Sequence, residues 1–212
     1  MERKKQIITL SCMHGRHQTV EYCINKMRFI DQVMIYSTDE DGVFLYDQPI
    51  FAFGQHQNQP LSHKWNAGIM ALQDIEFDAV ILLGSDDYID DKFVQFVSKN
   101  IDHFDMIAFT DIYFESDGVK YYWQGYENSR EGEPIGAGKV YTKQFLKRIK
   151  YNLFNKSANR GLDGISWNRC KQANAKMMIT SIREHGLMLC DVKDGHGMND
   201  ISSIENLIIC SE

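Results

Sequence analysis

The sequence has little proline, no long apolar run and no paired cysteines. Only three prolines occur in 212 residues, and the five cysteines are scattered without a C-x-x-C pair. This spacing argues against both a disulfide framework and a zinc site. No apolar run is long enough to form a transmembrane helix, and the first residues show no signal-peptide cleavage pattern. We therefore expect a cytoplasmic protein without a membrane span.

An excess of basic charge is also missing. The formal net charge is −6, which argues against a protein whose whole surface binds nucleic acid. Hydrophobic residues make up 43% of the chain, enough to bury one sizeable core. No Pro-rich or Gly-rich linker divides the sequence, so we expect a single domain over residues 1–212.

The first half alternates between short apolar segments and amphipathic segments. Strands are predicted at residues 7–13, 32–37, 49–53, 79–83 and 106–114. Helices are predicted around Val20, Ile24 and Met27, after a cap at Ser62, and at residues 91–99. The run at 79–83 does not alternate with polar residues, which indicates burial on both faces. This order predicts an α/β fold with a doubly wound, mostly parallel sheet flanked by helices.

The second half has a different pattern. Residues 118–125 are typical of the second arm of a hairpin, helices are predicted at 143–150 and 162–173, and strands at 176–182 and 187–192. We therefore expect the chain to have two halves, over about residues 1–112 and 113–212, with the small hairpin in the second half.

Two adjacent carboxylates follow the most hydrophobic predicted strand. Asp86 and Asp87 come directly after Gly84-Ser85, at the sheet edge where open α/β folds bind ligands. Neighbouring carboxylates repel each other unless a cation lies between them, and Mg²⁺ or Mn²⁺ suits such ligands. The alternative interpretation is a turn that leads into a helix capped by Asp90.

The segment Ile81-Leu82-Leu83-Gly84-Ser85-Asp86-Asp87-Tyr88-Ile89 resembles the strand and acidic motif of family 2-like inverting glycosyltransferases with the GT-A fold. Those enzymes usually have Asp where this chain has Gly84. The resemblance implies a GT-A fold, a nucleotide-sugar donor, most simply a UDP-sugar, and Mn²⁺ or Mg²⁺ as cofactor. It places Ser85 and Asp86 at the donor and Asp87 at the metal.

Further similarities occur in the family's order and extend over residues 7 to 200. They are the first strand with its Gly15-Arg16 loop, the end of the second strand, the helix segment Lys64-Trp65-Asn66-Ala67-Gly68, and the small-residue segment Gly136-Ala137-Gly138 on the acceptor side. By this resemblance the donor contacts include Ser11, Arg16, Asp39, Lys64 and Asn66. The resemblance also implies that the half over about residues 1–112 binds the nucleotide and that the half over about 113–212 is the acceptor side.

Two residues of the second half complete the implied site. Asp163 stands where the resembled family places its catalytic base, which takes a proton from the acceptor hydroxyl. An ordinary helix N-cap is the alternative for this residue. His196, in a glycine-flanked loop, is implied as a further metal ligand, although a loop histidine is commonly a solvated surface residue. Trp123 is a candidate for acceptor contact, although hairpin aromatics also serve cross-strand packing.

Two other functions remain open. A sugar nucleotidyltransferase shares the general sheet and the need for a divalent ion, but it should show a glycine-rich basic loop after the first strand, and Met13-His14-Gly15-Arg16 is short for that. A non-catalytic module that binds a nucleotide sugar or a metal is favoured by Gly84. The acceptor, whether glycan, protein or another hydroxyl compound, is set by loops that the sequence does not resolve.

Overall fold

The structure of the protein, a computed structural model, describes residues 3–195 and 201–210. Within these residues twelve strands form two sheets. The larger sheet contains β1 (Ile7–Cys12), β2 (Asp31–Tyr36), β3 (Ala52–Gln55), β4 (Ala79–Gly84), β6 (Met106–Phe109), β9 (Lys139–Thr142) and β10 (Met177–Thr180). The smaller sheet contains β5 (Asp87–Ile89), β7 (Ile112–Ser116), β8 (Val119–Trp123), β11 (Leu189–Val192) and β12 (Ile208–Ile209).

The larger sheet is mostly parallel. Its strand order is β10-β6-β9-β4-β1-β2-β3, and β9 runs antiparallel to both of its neighbours while the remaining pairs are parallel. The smaller sheet has the order β12-β8-β7-β11-β5. The predicted doubly wound, mostly parallel sheet is therefore confirmed.

Six helices accompany the sheets in the described chain. They are α1 (His17–Lys26), α2 (Asp39–Tyr46), α3 (Leu61–Ala71), α4 (Asp91–Asn100), α5 (Lys143–Arg148) and α6 (Leu162–Gln172). None of the helices in the described ranges is long and apolar enough to cross a membrane.

Strand β4 lies at the centre of the core. Ile81 and Leu83 pack into one apolar cluster together with Phe93 of α4, whereas Val80 and Leu82 pack into another on the opposite face. A strand covered on both faces needs apolar side chains at every position. This explains the unalternated run and confirms its interpretation.

The predicted strand at 106–114 is wrong as a single element. The chain divides it into β6 and β7, which belong to different sheets. The division falls at Asp111, whose buried carboxylate accepts hydrogen bonds from the Tyr122 hydroxyl at 2.8 Å and from the Ile182 backbone N–H at 2.7 Å. These bonds hold the chain where it leaves one sheet for the other.

Other boundaries also differ from the sequence prediction. Helix α3 follows Pro60 without a side-chain cap, because the Ser62 hydroxyl instead accepts a hydrogen bond from the Ala158 N–H at 2.9 Å. Helix α2 was not predicted, although Thr38 and Asp41 form a capping box at its start. Strand β9 was not predicted either, because the glycines that precede it indicated a break between elements.

Candidate active site

Three carboxylates meet where the two sheets join. Strand β4 ends at Gly84, a short turn carries Ser85 and Asp86, and β5 begins at Asp87. Strand β11 runs antiparallel to β5 with Asp191 directly opposite Asp87. Asp86, Asp87 and Asp191 each offer an oxygen within 4.8 Å of the others.

Asp191 was not identified from the sequence. It lies at the end of a predicted strand, but only the pairing of β11 with β5 brings it to the acidic turn. His196, the implied metal ligand, lies outside the described residues. The structure thus adds the carboxylate of Asp191 to the predicted pair, Asp86 and Asp87.

The electrostatics of this cluster are unfavourable without a cation. Burial and then the charges of Asp191 and Asp86 raise the pKa of Asp87 well above its usual range. Burial and the charge of Asp86 likewise raise the pKa of Asp191 to about 7, although its Oδ2 accepts a 2.6 Å hydrogen bond from Lys193 Nζ. Asp191 Oδ1 is buried, and no hydrogen-bond partner for it occurs among the described residues.

Hard oxygen ligands with an unsatisfied buried lone pair fit a divalent ion such as Mg²⁺ or Mn²⁺. Asp87 is also fixed in place, because its Oδ2 accepts the Gly84 backbone N–H at 2.5 Å. The residues present therefore suit the implied metal.

Arg16 connects the loop after β1 to the acidic turn. Its Nη1 donates to Asp86 Oδ2 at 2.7 Å, and its Nε donates to Asp194 Oδ2 at 2.8 Å. The backbone of Arg16 has a left-handed φ of 58°, which is uncommon for a residue with a side chain. The structure thus places Arg16 beside the acidic turn.

Lys64 is buried beneath the loops that follow β1 and β2. It donates hydrogen bonds to the Met13 carbonyl and the Ser37 hydroxyl, and to Asn58 Oδ1 at 3.3 Å. Burial lowers the pKa of Lys64. These bonds join the carboxyl ends of β1 and β2, so Lys64 shapes the floor of the site from beneath.

Asn66 holds a neighbouring segment. Its Nδ2 donates to the Phe154 carbonyl at 2.9 Å, and its Oδ1 accepts the Phe154 N–H at 3.0 Å. Both amide positions are therefore used to fix the chain around Phe154. Ser11 is buried on β1.

Two aspartates of α2 have different surroundings. Asp39 is exposed and accepts a hydrogen bond from Gln55 Nε2 at 3.1 Å. Asp41 is buried and accepts from the Gly15 N–H at 2.9 Å and from His17 Nε2 at 3.0 Å. Burial alone would raise the pKa of Asp41, but these hydrogen bonds lower it to about 2. Asp41, which the sequence analysis passed over, is the carboxylate that organises the loop after β1.

A cleft of about 720 Å³ crosses the carboxyl edge of the larger sheet. A second cavity of about 610 Å³ adjoins it on the side of the β7–β8 hairpin, and Trp123 and Tyr126 line this hairpin lobe. The two cavities share five lining residues, which are Gly136, Ala137, Asp163, Asp191 and Lys193. Of the predicted site residues, the first cleft is lined by Arg16, Ser85, Asp86, Asp87 and Asp163, whereas Ser11, Asp39, Lys64 and Asn66 do not line it.

Asp163 lies on the wall shared by the two cavities. It belongs to the first turn of α6, and the N-cap position is Gly161, with a left-handed φ of 68° and no side-chain cap. The alternative of an N-cap role for Asp163 is therefore wrong. A Cβ at Gly136 would lie 2.6 Å from Asp163 Oδ1, so glycine at that position lets the carboxylate approach the wall.

The chain is similar in structure to several solved proteins, two of which contain UDP. GalNAc-T7 with UDP, GalNAc and Mn²⁺ matches with a TM-score of 0.59 and 10% identity over 91% of this chain and 44% of that protein. A fragment of TarS from S. aureus in complex with UDP matches with a TM-score of 0.59 and 14% identity over 88% of this chain and 60% of the fragment. The 4-diphosphocytidyl-2C-methyl-D-erythritol synthase from Anaerococcus prevotii matches with a TM-score of 0.58 and 10% identity, over 84% of this chain and 90% of that one.

No protein-family model matches the chain, and no curated protein matches its sequence. The chain spans less than two thirds of the length of GalNAc-T7 and of TarS. Identities this low establish the fold and not the reaction. The chain has a GT-A-like fold, as the acidic strand end and the order of the other segments predicted.

Proposed function

We propose that the protein is a glycosyltransferase that moves a sugar from a nucleoside-diphosphate sugar to an acceptor hydroxyl with inversion at the anomeric carbon. One observation carries the proposal: the acidic cluster and Asp163 line a single cleft, and Asp163 also lines the adjoining hairpin lobe. A donor bound at the cluster and an acceptor bound in the lobe would meet at Asp163.

The donor side suits a diphosphate held with a divalent ion. Asp86, Asp87 and Asp191 would hold the ion, which would supply positive charge to the departing nucleoside diphosphate. The guanidinium of Arg16, already hydrogen-bonded to Asp86, adds fixed positive charge beside the same phosphates. GalNAc-T7 and TarS have been crystallised with UDP, the former with Mn²⁺ as well, which supports a UDP-sugar as the donor and Mn²⁺ or Mg²⁺ as the cofactor.

The acceptor side suits a molecule with an apolar face and hydroxyl groups. Trp123 and Tyr126 supply aromatic surface in the hairpin lobe, with their rings 5.1 Å apart and nearly perpendicular. Sugar rings stack on such surfaces, while the neighbouring polar groups orient their hydroxyls. Trp123 packs on Phe114 as well, so it has a structural role beside the proposed contact.

The chemical step follows from the position of Asp163. Its carboxylate takes the proton of the acceptor hydroxyl as the oxygen bonds to the anomeric carbon. The bond from that carbon to the donor phosphate breaks, and the electron pair leaves with the nucleoside diphosphate. One displacement from the opposite face gives one inversion.

A sugar nucleotidyltransferase is the second candidate, because the Anaerococcus synthase has the same fold. Two features favour glycosyl transfer. The connection between β1 and α1 has only residues 13–16, which is short for a loop that cradles a triphosphate. The hairpin lobe presents the carboxylate of Asp163 to a second substrate, which suits a neutral acceptor hydroxyl better than a negatively charged sugar phosphate.

The reaction products distinguish the candidates. The protein is incubated with a panel of UDP-, GDP- and CMP-sugars, and separately with nucleoside triphosphates and sugar phosphates, with Mn²⁺ or with a chelator. Metal-dependent release of a nucleoside diphosphate supports the glycosyltransferase, release of pyrophosphate supports the nucleotidyltransferase, and binding without either product supports a binding module. Asp87→Asn should abolish the metal-dependent activity, whereas Asp91→Asn, at an exposed carboxylate on α4, should leave it unchanged.

A further inference from the structure

A buried lysine lies beneath Asp163. Lys139 is the first residue of β9, where it pairs with Leu82 of β4, and its side chain is 2% exposed. Its Nζ donates to the Asp163 backbone carbonyl at 3.0 Å and to the Ser166 hydroxyl at 3.1 Å. Ser166 in turn donates to the same Asp163 carbonyl at 3.0 Å. Lysine and serine together form a clamp on the first turn of α6.

The clamp carries a positive charge where packing alone would favour an apolar residue. The next residues of β9, Val140 and Tyr141, are fully buried in the apolar core. Burying an ammonium group is costly unless a partner compensates for it. No carboxylate lies within ion-pair distance of Lys139 Nζ in residues 3–195 or 201–210, so the buried ammonium group depends on its hydrogen bonds to the first turn of α6.

The charge of Lys139 is linked to Asp163. Burial lowers the pKa of Lys139 to about 8, and the negative charge of Asp163 acts in the opposite direction. The turn has little other support at its start, because the N-cap residue Gly161 offers no side chain to cap it. Lys139 also lines the first cleft, together with Asp163 and Ser166.

We propose that Lys139 is a positioning residue for Asp163: it clamps the first turn of α6 so that the Asp163 carboxylate stays on the wall shared by the two cavities. This inference rests on the proposed function, in which Asp163 takes the acceptor proton. Lys139 itself neither gives nor receives a proton in that step. It acts by holding a backbone carbonyl and by keeping a positive charge near the carboxylate.

The test compares Lys139→Met with Lys143→Met. Methionine is close in length to lysine and is tolerated in apolar surroundings. Lys143 is a matched control, because its largely buried side chain also donates to a backbone carbonyl, that of Ile75 at 2.6 Å, but at the opposite end of β9. Two quantities are measured for each variant: hydrogen exchange of the amides at 163–167 and the steady-state kinetics of transfer.

In Lys139→Met we expect faster exchange in the first turn of α6 and a fall in kcat of roughly 100-fold, the loss expected from displacing a reacting group by about 1 Å. The donor KM should not change, because the donor contacts remain. Lys139→Arg should recover part of kcat, and Lys143→Met should match the wild type in both measurements. Unchanged exchange and unchanged kcat in Lys139→Met would overturn the proposal, and so would a raised donor KM with normal kcat.

Ser166→Ala provides a second perturbation if Lys139→Met does not fold. It removes one arm of the clamp and leaves the lysine in place, so exchange at 163–167 should rise and kcat should fall by less than in Lys139→Met. Normal exchange and normal kcat would again contradict the clamp. A wild-type protein that transfers no sugar would refute the proposed function, and the exchange measurement would then decide separately whether Lys139 holds the turn.

Discussion

Restoring the aspartate that the resembled enzymes usually have at position 84 should damage this site. The structure explains why glycine is there. A Cβ added at Gly84 would lie 2.5 Å from Asp86 Oδ1 and 3.0 Å from Asp87 Oδ2. Asp86 is held by Arg16, and Asp87 is buried and bonded to the Gly84 N–H. Both carboxylates occupy the space that a side chain at position 84 would need.

The expected cost of Gly84→Asp follows from this crowding. Forcing additional atoms into a packed site costs about 1–3 kcal/mol, and a fourth carboxylate adds repulsion. For a chain of this size each kcal/mol lowers the melting temperature by about 2–4 °C. The variant should therefore melt about 2 to 12 °C below the wild type without metal, and its Mn²⁺ affinity should fall because Asp86 and Asp87 are displaced.

Thermal unfolding with EDTA and with Mn²⁺ measures both effects. Gly84→Asn introduces a side chain of the same size without the charge, so the difference between the two variants isolates the repulsion. Gly164→Asp is the matched control, because a Cβ at Gly164 would meet no atom within 4 Å. If Gly84→Asp melted no lower than the wild type and bound Mn²⁺ more tightly, the arrangement of carboxylates described above would be refuted.

Three further predictions concern individual carboxylates. Asp163→Asn should leave donor binding intact in calorimetry while reducing transfer by about two to four orders of magnitude, and near-normal turnover would exclude Asp163 as the base. Asp87→Asn keeps an acceptor for the Gly84 N–H but removes a buried charge, so its melting temperature without metal should be at least that of the wild type while the stabilisation by Mn²⁺ disappears; a large fall without metal would contradict this. Because the pKa of Asp41 is lowered from 3.8 to about 2, its ionised form should contribute about 2 kcal/mol of stability above pH ~4 that is lost as the pH falls toward 2. Denaturant unfolding between those pH values should show that Asp41→Asn removes this dependence, and an unchanged slope would contradict the role of Asp41.

The sequence predicted those parts of the fold that local pattern controls. The unalternated apolar run of β4 and the acidic turn after it identified the centre of the sheet and of the site. The boundary between β6 and β7 was missed because no glycine or proline marks it, and the division depends on the distant hydrogen bonds of Asp111. Asp191 was missed for the same reason, since its role depends on a strand pairing that no local pattern records.

Lys139 and Asp41 were not predicted as site residues, for a related reason. Each stands next to residues with a stronger sequence signal, which are the glycines before β9 in the first case and Asp39 in the second. A lysine at the start of an apolar strand and an aspartate at the third position of a helix are both ordinary in sequence. Only burial and hydrogen-bond partners separate them from solvated charges.

The pairing of Asp191 with Asp87 has a consequence for how the molecule assembles. These residues face each other across two neighbouring strands, yet they are 104 positions apart in the sequence. Contacts between distant segments are slow to form, because the entropy cost of closing a long loop precedes the favourable energy of the contact. The larger sheet can begin to assemble from its consecutive parallel strands β1, β2 and β3, whereas the acidic cluster is complete only when β11 has docked on β5. A folding chain therefore lacks one of the three clustered carboxylates until β11 has paired with β5.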